Sequence, residues 1–295
     1  MDYSQKSVAG KQEAAHGRPF VLLSIVVLVI AGFSLPWWLI LAVPTNHVLT
    51  SHSSVGNRSA MPATLFSVLL FTKTAGYRHT SIMAGISALT SLGQTNGFSV
   101  HATEDATVFT DDQLASYRVV VFLNTTGDIL NADQQAAFER FIRSGGGFVG
   151  IHSAADTEYS WPWYGQLVGA YFASHPAIQT ATVQVLDAAH PSMQHLPERW
   201  TRVDEWYNFQ ASPVPSVTVL AEVDESTYVG GTMGPHHPLV WCHKYDGGRA
   251  WYTAMGHTDE SYTDALFLDH LLGGILWAAG IDLSHHVYLP LLTGR

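Results

Sequence analysis

The distribution of hydrophobic and polar residues separates an apolar segment near the start of the chain from a long folded region. Residues 1–18 are polar, whereas residues 19–44 contain no charged side chain. The roughly 24 apolar positions in this segment are long enough, at ~1.5 Å per residue, for a helix that crosses the ~30 Å hydrocarbon core of a bilayer. The pattern therefore predicts one transmembrane helix at residues 19–44.

The charges that flank this segment predict its orientation. Basic residues near the predicted helix lie only on its amino-terminal side, so the positive-inside rule places residues 1–18 in the cytoplasm and the folded domain outside it. This pattern predicts a signal anchor. The alternative is a signal peptide cleaved near residues 42–44, which would give a secreted protein, although the apolar stretch exceeds the usual ~7 to 15 residues. Residues 45–63 are polar and lack apolar periodicity, as is typical of a disordered tether.

From residue 64 onward, short apolar runs alternate with segments of helical spacing. The runs at residues 65–71, 98–101, 118–123 and 148–151 have the length and composition of buried strands. Strict alternation of strands and helices predicts an α/β domain with a parallel sheet and right-handed crossovers. The polar loops that follow these strands should then lie along one edge of the sheet.

After residue 172 the pattern changes to apolar runs joined by tight turns. These runs predict antiparallel hairpins that extend or cover the sheet. A last helix is predicted at residues 264–279, and residues 281–295 resemble a loose tail, so the folded domain is assigned to residues 64–280. The predicted hairpin strands are residues 181–186, 217–223, 239–244 and 249–253.

Composition narrows the chemistry of this domain. The net charge is -10 and no Lys/Arg cluster is present, which argues against nucleic acid or an anionic membrane surface as a partner. The single cysteine, Cys242, cannot form an internal disulfide or supply a cysteine pair for zinc. Sixteen histidines leave a divalent metal open as a cofactor, held by His and carboxylate ligands. Composition leaves a small carbohydrate open as a partner.

Polar and aromatic residues follow the predicted strand at residues 148–151 directly. His152, Asp156, Glu158, Trp161 and Trp163 lie within twelve positions, at the point where an open parallel sheet binds ligands. A structural turn explains any one of them, but together they favour the rim of a pocket. Aromatic faces beside carboxylates suit stacking on the C–H surface of a sugar ring.

Three histidines from distant parts of the chain each follow a predicted strand or its loop. They are His79, His152 and His257, and we expect them to share one pocket with Asp204 and Glu205. Imidazole and carboxylate groups can move protons near pH 7 or bind a divalent metal, and no H-E-x-x-H spacing decides between these. The predicted catalytic residues are His152, Glu205, His257 and His79; the predicted substrate contacts are Asp156, Glu158, Trp161, Trp163, Asp204, Trp206 and Asn124. The His-Pro pairs at His175, His190 and His237 are interpreted as loop residues.

Six segments carry a resemblance to a known family. They are F-T-K-T-A-G-Y-R-H-T-S-I (71–82), G-G-G-F-V-G-I-H-S-A-A-D-T-E-Y (145–159), W-P-W-Y-G-Q-L-V-G-A-Y-F (161–172), D-E-W-Y-N-F (204–209), G-G-R-A-W-Y-T-A-M-G-H-T (247–258) and L-L-G-G-I-L-W-A-A-G (271–280). Over residues 65–280 the chain resembles the ThuA-like family, named for trehalose utilisation. The resemblance implies a flavodoxin-like fold similar to that of class I glutamine amidotransferases, and a role in sugar metabolism associated with 3-keto sugars.

The amidotransferase nucleophile is a Cys on a G-x-C-x-G turn, and the resemblance aligns that turn with Gly150-Ile151-His152-Ser153-Ala154. Because His152 replaces the Cys, amidotransferase activity should be absent. Three hypotheses remain. The chain is an enzyme that hydrolyses, eliminates or isomerises a keto sugar or glycoside, with His152 and Glu205 as acid and base; it is a sugar-binding or sensing ectodomain without turnover; or it is an inert structural relative of the amidotransferases.

The orientation of the chain is open to a direct test. Protease added to intact cells or sealed right-side-out vesicles should digest the folded domain, because the basic flank of residues 19–44 places that domain outside. Digestion is followed by immunoblotting against the domain, with detergent-lysed vesicles as the control. Full protection in intact vesicles would contradict the predicted orientation.

Overall fold

The computed structural model describes residues 64–281, which fold as an α/β domain. The strands are β1 (Phe66–Phe71), β2 (Phe98–Thr103), β3 (Val119–Leu123), β4 (Gly147–Ile151), β5 (Phe172–Ser174), β6 (Gln179–Val185), β7 (Arg199–Asp204), β8 (Asn208–Phe209), β9 (Thr218–Val223), β10 (Pro238–Tyr245) and β11 (Gly248–Thr253). The helices are α1 (Ile82–Asn96), α2 (Asp111–Leu114), α3 (Ala132–Arg143), α4 (Pro162–Val168) and α5 (Ala265–Ala279).

The predicted transmembrane helix at residues 19–44 lies outside the described residues, as do the predicted tail 1–18, the tether 45–63 and all but the first residue of the tail 281–295. Between residues 64 and 281, no helix has the length and hydrophobicity needed to cross a membrane. The anchor and its orientation therefore stay predictions from the sequence.

Nine of the strands form one mixed sheet in the order β2-β1-β3-β4-β11-β10-β9-β6-β7. The first five strands in this order run parallel, and each later strand is antiparallel to its neighbour. The parallel part has the 2-1-3-4-5 order of flavodoxin-like proteins. The prediction of a parallel sheet with antiparallel additions is confirmed. The strands β5 and β8 form a separate antiparallel pair.

Helices cover both faces of the parallel part of the sheet. Phe148 in β4 packs its ring against Phe138 of α3 and Tyr164 of α4. A side chain at the preceding residue, Gly147, would instead meet the backbone of Ala278 in α5, whose carbonyl oxygen lies 2.4 Å from the position of a Cβ atom. Successive residues of a strand face opposite sides of a sheet, so α5 lies on the side opposite α3 and α4. Burial on both sides explains the continuous apolar runs of β3 and β4.

Two helices differ in how their first turns are capped. Asn131 caps α3 in a capping box in which its side chain and that of Gln134 each accept a backbone N–H of the other. The helix α1 begins at Ile82 with Ser81 as the N-cap, and no side chain caps this helix. Packing of α1 against the sheet therefore substitutes for a capping hydrogen bond.

The sequence pattern does not predict β7, an edge strand in which exposed and buried residues alternate. The buried positions include Arg202 and Asp204, which are charged. Charged residues at inward positions hide the apolar alternation that marks a strand. The short helix α4 and the β5–β8 pair were also not predicted.

The end of β7 lies close to the loop that follows β11, at the carboxyl edge of the parallel strands. Four successive antiparallel pairings separate β7 from β11, so both strands point the same way. In a flat sheet they would lie about 19 Å apart, at about 4.8 Å per strand. The Asp204 carboxylate nevertheless accepts the backbone N–H of Gly256 at 3.0 Å. The antiparallel half therefore curls back towards the loop that follows β11.

Candidate metal centre

Four side chains from four separate elements converge at the carboxyl edge of the sheet. His79 follows β1, His152 follows β4 directly, Glu205 follows β7 directly and His257 follows β11. One potential ligand atom from each side chain lies within 4.8 Å of the other three. Three imidazoles and one carboxylate make up the ligand types of a transition-metal site.

The spacing of three of these groups matches the size of a metal coordination shell. His152 Nε2 lies 3.1 Å from His257 Nδ1 and 3.3 Å from Glu205 Oε2, and His257 Nδ1 lies 3.1 Å from Glu205 Oε2. In a tetrahedral zinc site with bonds of about 2.0–2.1 Å, ligand atoms lie about 3.3–3.4 Å apart. The His79 ring completes the group, with its centroid 4.9 Å from that of His152 and 5.0 Å from that of His257.

The position of His152 resembles a nucleophile elbow, in which a strand turns sharply into a helix. Its backbone φ is +51°, a left-handed conformation that a non-glycine residue seldom adopts and that costs of order 1–3 kcal/mol. Its Nδ1 lies 2.7 Å from the carbonyl oxygen of Ala254, which can only accept, so Nδ1 carries the proton. Its Nε2 faces Glu205 and His257. The hydrogen bond from Nδ1 to the Ala254 carbonyl oxygen orients the His152 ring, as such a bond does for histidine ligands in metal sites.

Electrostatics favour an ionised Glu205 beside a neutral His79. Burial, helped by the nearby His152 and His257, lowers the pKa of His79 to about 3. Burial alone would raise the pKa of Glu205, but hydrogen bonds and charge from His152 and His257 outweigh it and hold that pKa well below its usual range. Burial lowers the pKa of His257, and the hydrogen bond and charge of Glu205 reverse this, so the net change is upward.

Asp204, predicted to contact substrate, is instead a buried anchor for two of the ligands. Its carboxylate accepts the backbone N–H groups of Glu205 at 2.9 Å and of Gly256 and His257 at 3.0 Å. The Arg202 guanidinium donates to the same carboxylate at 3.1 Å. With no exposed surface, Asp204 positions the backbone of Glu205 and His257 and cannot face a substrate.

Asn124, another predicted substrate contact, is also buried and ties neighbouring loops together. Its amide nitrogen donates to Ser81 Oγ at 3.0 Å and to the carbonyl oxygen of Gly256 at 3.4 Å. Its backbone φ of +50° is left-handed, which asparagine tolerates better than most residues. The loops after β1, β3 and β11 therefore meet at this side chain, below the four-residue cluster.

Glu158, predicted at the pocket rim, is buried and holds the segment that leads into α3. One carboxylate oxygen accepts the backbone N–H groups of Ile129 and Leu130, both at 2.8 Å, and the other accepts from Gln135 at 2.7 Å. Asp156 is half-buried and accepts the hydroxyl of Tyr159 at 2.6 Å.

Of the three predicted tryptophans, Trp161 and Trp206 belong to the core, and the half-buried Trp163 packs against it. Trp161 and Trp163 stack on each other at the start of α4, with ring centroids 5.2 Å apart, and both pack against Phe138 of α3. Trp206 is fully buried, and its indole N–H donates to the carbonyl oxygen of Gln179 at 2.8 Å. Their large apolar area explains their burial.

Two residues of the site were not predicted. His175 Nδ1 lies 3.0 Å from Glu205 Oε1, and its side chain is 41% exposed, so it links the cluster to solvent. Tyr207 packs its ring on His152 with centroids 4.2 Å apart. The sequence pattern places His175 among loop residues because it precedes a proline. Its partner Glu205 lies 30 positions later in the chain, so the sequence does not indicate the contact. Tyr207 ends the D-E-W-Y motif, in which the other three residues were the predicted site residues.

Comparisons with known proteins agree with this fold. The family model described as ThuA, trehalose utilisation, matches residues 67–278. A ThuA-like protein from Bacteroides uniformis superposes with a TM-score of 0.63 at 23% identity, covering 80% of this chain and 95% of that one. A ThuA-like protein from Parabacteroides merdae gives a TM-score of 0.61 at 20% identity, covering 75% and 92%. At these identities the two structures support the fold alone. The comparison with curated proteins gave no match.

The anchoring role of Asp204 predicts a specific loss of metal affinity. Asp204→Asn should bind Zn²⁺ about 10- to 100-fold more weakly, the range for outer-shell partners of metal ligands, because an amide NH₂ would face backbone N–H donors. Affinity is measured on the purified full-length protein by competition with a chromophoric chelator. Asp112→Asn, the same change at an exposed site, is the control. Equal zinc affinity in the two variants would refute the anchoring role.

Proposed function

The chain belongs to the ThuA, or trehalose utilisation, family, and on that premise we propose that it is a carbohydrate-active enzyme with a divalent metal centre. The metal ligands are His79, His152, Glu205 and His257. The observation that carries the proposal is the convergence of these four side chains, with ligand atoms within 4.8 Å of one another, from four elements far apart in the chain. The proposed substrate is a keto sugar or a disaccharide glycoside.

The ligand set supports zinc or a similar transition metal, since three imidazoles and one carboxylate are borderline ligands. A bound divalent ion supplies Lewis acidity towards a carbonyl or hydroxyl oxygen of the sugar. His152 is held by the Ala254 carbonyl with its Nε2 lone pair towards the centre. His175 contacts the outer oxygen of Glu205 and is exposed, so it is placed to exchange protons between the site and solvent.

The proposal excludes amidotransferase chemistry at the single cysteine. Cys242 lies in β10, which forms part of the antiparallel half of the sheet. Burial raises the pKa of its thiol to about 12, so the thiolate required of a nucleophile is scarce at neutral pH. The elbow position that would hold a nucleophile is occupied by His152. The four-residue centre is therefore where we assign the chemistry.

We place this activity outside the cytoplasm, as the charge pattern around residues 19–44 predicts. A sugar-active domain held at the outer membrane face by a tether would meet its substrate before uptake. The protease experiment described above tests this location independently of the chemistry.

Turnover of a keto-disaccharide tests the proposal. The full-length protein loaded with Zn²⁺ should convert 3-keto-trehalose, and His152→Ala should lower the rate about 10²- to 10⁴-fold, the contribution typical of a positioned acid or base and a lower bound for a lost metal ligand. His195→Ala, the same change at an exposed histidine, should retain the wild-type rate. Products are followed by NMR.

Two results would contradict the enzyme proposal. One is a His152→Ala variant as active as His195→Ala. The other is a zinc-loaded wild-type protein that binds keto-disaccharides or trehalose without converting them, which would support a non-catalytic sugar-binding ectodomain instead.

A further inference from the structure

Exposed aromatic side chains are confined to one edge of the described domain. Between residues 64 and 281, the Phe, Trp and Tyr side chains with the largest exposed fractions are Tyr77, at 64%, and Tyr159, at 39%. Tyr77 belongs to the loop after β1, and Tyr159 follows the turn after β4. Both loops lie at the carboxyl edge of the sheet that carries the metal centre. The other aromatic residues of this range are buried or half-buried, including the tryptophans predicted to stack on sugar.

The Tyr77 ring stands directly beside one of the proposed ligands. Its centroid lies 4.9 Å from that of His79, and the two rings are nearly perpendicular, at 88°. The loop is well anchored, since Thr126 Oγ1 donates to the Tyr77 carbonyl oxygen at 2.8 Å and accepts the N–H of Gly76 at 3.2 Å. These hydrogen bonds fix the loop backbone at Tyr77, and its side chain is 64% exposed.

Tyr159 stands on the neighbouring loop with a carboxylate beside it. Its hydroxyl donates to Asp156 Oδ1 at 2.6 Å and to the Phe172 carbonyl oxygen at 3.1 Å. The N–H of Gly127 donates to the Asp156 carbonyl oxygen at 2.8 Å. The Tyr77 loop bonds to Thr126 and the Asp156 segment to Gly127, so two adjacent residues connect the loops that carry the two exposed rings.

We propose that Tyr77 and Tyr159 border a subsite for one pyranose ring, with Tyr77 stacking on its apolar C–H face. This inference rests on the proposed function, since it concerns how a sugar is held against that metal centre. Pyranoses combine an apolar face with hydroxyl edges, which suits an exposed aromatic face next to a polar group. Asp156 has acceptor capacity left for sugar hydroxyls. A sugar ring stacked on Tyr77 would lie next to His79, whose ring contacts that of Tyr77. The subsite selects cyclic sugars over open-chain polyols.

Calorimetric titration of the full-length, zinc-loaded protein with trehalose tests the subsite. Tyr77→Ala should bind trehalose about 2- to 12-fold more weakly, the range expected for one aromatic stacking contact, whereas Tyr77→Phe keeps the ring and should bind like wild type. Val229→Ala, at a residue 79% exposed, is the control for removing an exposed apolar side chain. Sorbitol, a polyol without a ring, should bind no more weakly to Tyr77→Ala than to wild type.

The zinc content of each variant separates this inference from the proposed function. Loss of trehalose affinity in Tyr77→Ala at unchanged zinc content would support the subsite. Equal trehalose affinity in Tyr77→Ala and wild type, or a wild-type protein that holds zinc but binds no trehalose, would overturn the subsite and leave the metal centre standing. Loss of zinc from Tyr77→Ala would also overturn it, because the ring would then serve His79 and not a sugar.

Discussion

The site depends on one buried ion pair, between Arg202 and Asp204 at the end of β7. The Asp204 carboxylate accepts three backbone N–H groups, and two of these belong to Glu205 and His257, which are proposed ligands that follow the edge strand β7 and the central strand β11. The guanidinium that balances its charge lies between the rings of Trp200 and Phe267, 4.6 Å from each. Removing one partner of such a pair leaves an uncompensated buried charge and costs about 3–5 kcal/mol. The curvature of the antiparallel half and the geometry of the centre therefore rest on the same contact.

The turn after β4 carries the resemblance to class I glutamine amidotransferases, whose corresponding turn is expected to present a cysteine nucleophile. Here the same strained position presents His152, whose Nδ1 is held by Ala254 and whose Nε2 faces two other ligand-type groups. A preorganised imidazole replaces a preorganised thiol. The left-handed backbone of His152 is the price of that orientation, and the surrounding hydrogen bonds maintain it.

Much of the fold and part of the site followed from the sequence, for physical reasons. Alternating apolar runs specified the parallel core, and the rule that strand ends share an edge placed His79, His152 and His257 together. The sequence could not reveal the return of β7 to the loop after β11, because this depends on sheet curvature and on a buried Arg202 that hides the strand pattern. Because β7 is not recognisable in the sequence, Asp204 was predicted as a substrate contact and not as the buried last residue of a strand. The tryptophans were predicted to contact a sugar because cores and sugar-binding surfaces both use large aromatic rings, which the sequence alone does not distinguish.

The central claim, that four side chains from four elements hold one metal ion, is tested most directly by crystallography of the full-length protein with Zn²⁺. Anomalous scattering at the zinc edge should give a peak about 2.0–2.2 Å from His152 Nε2, His257 Nδ1, Glu205 Oε2 and an imidazole nitrogen of His79. Zinc bound elsewhere, or a cluster in which the imidazoles stay hydrogen-bonded directly to Glu205 at saturating zinc, would contradict the account.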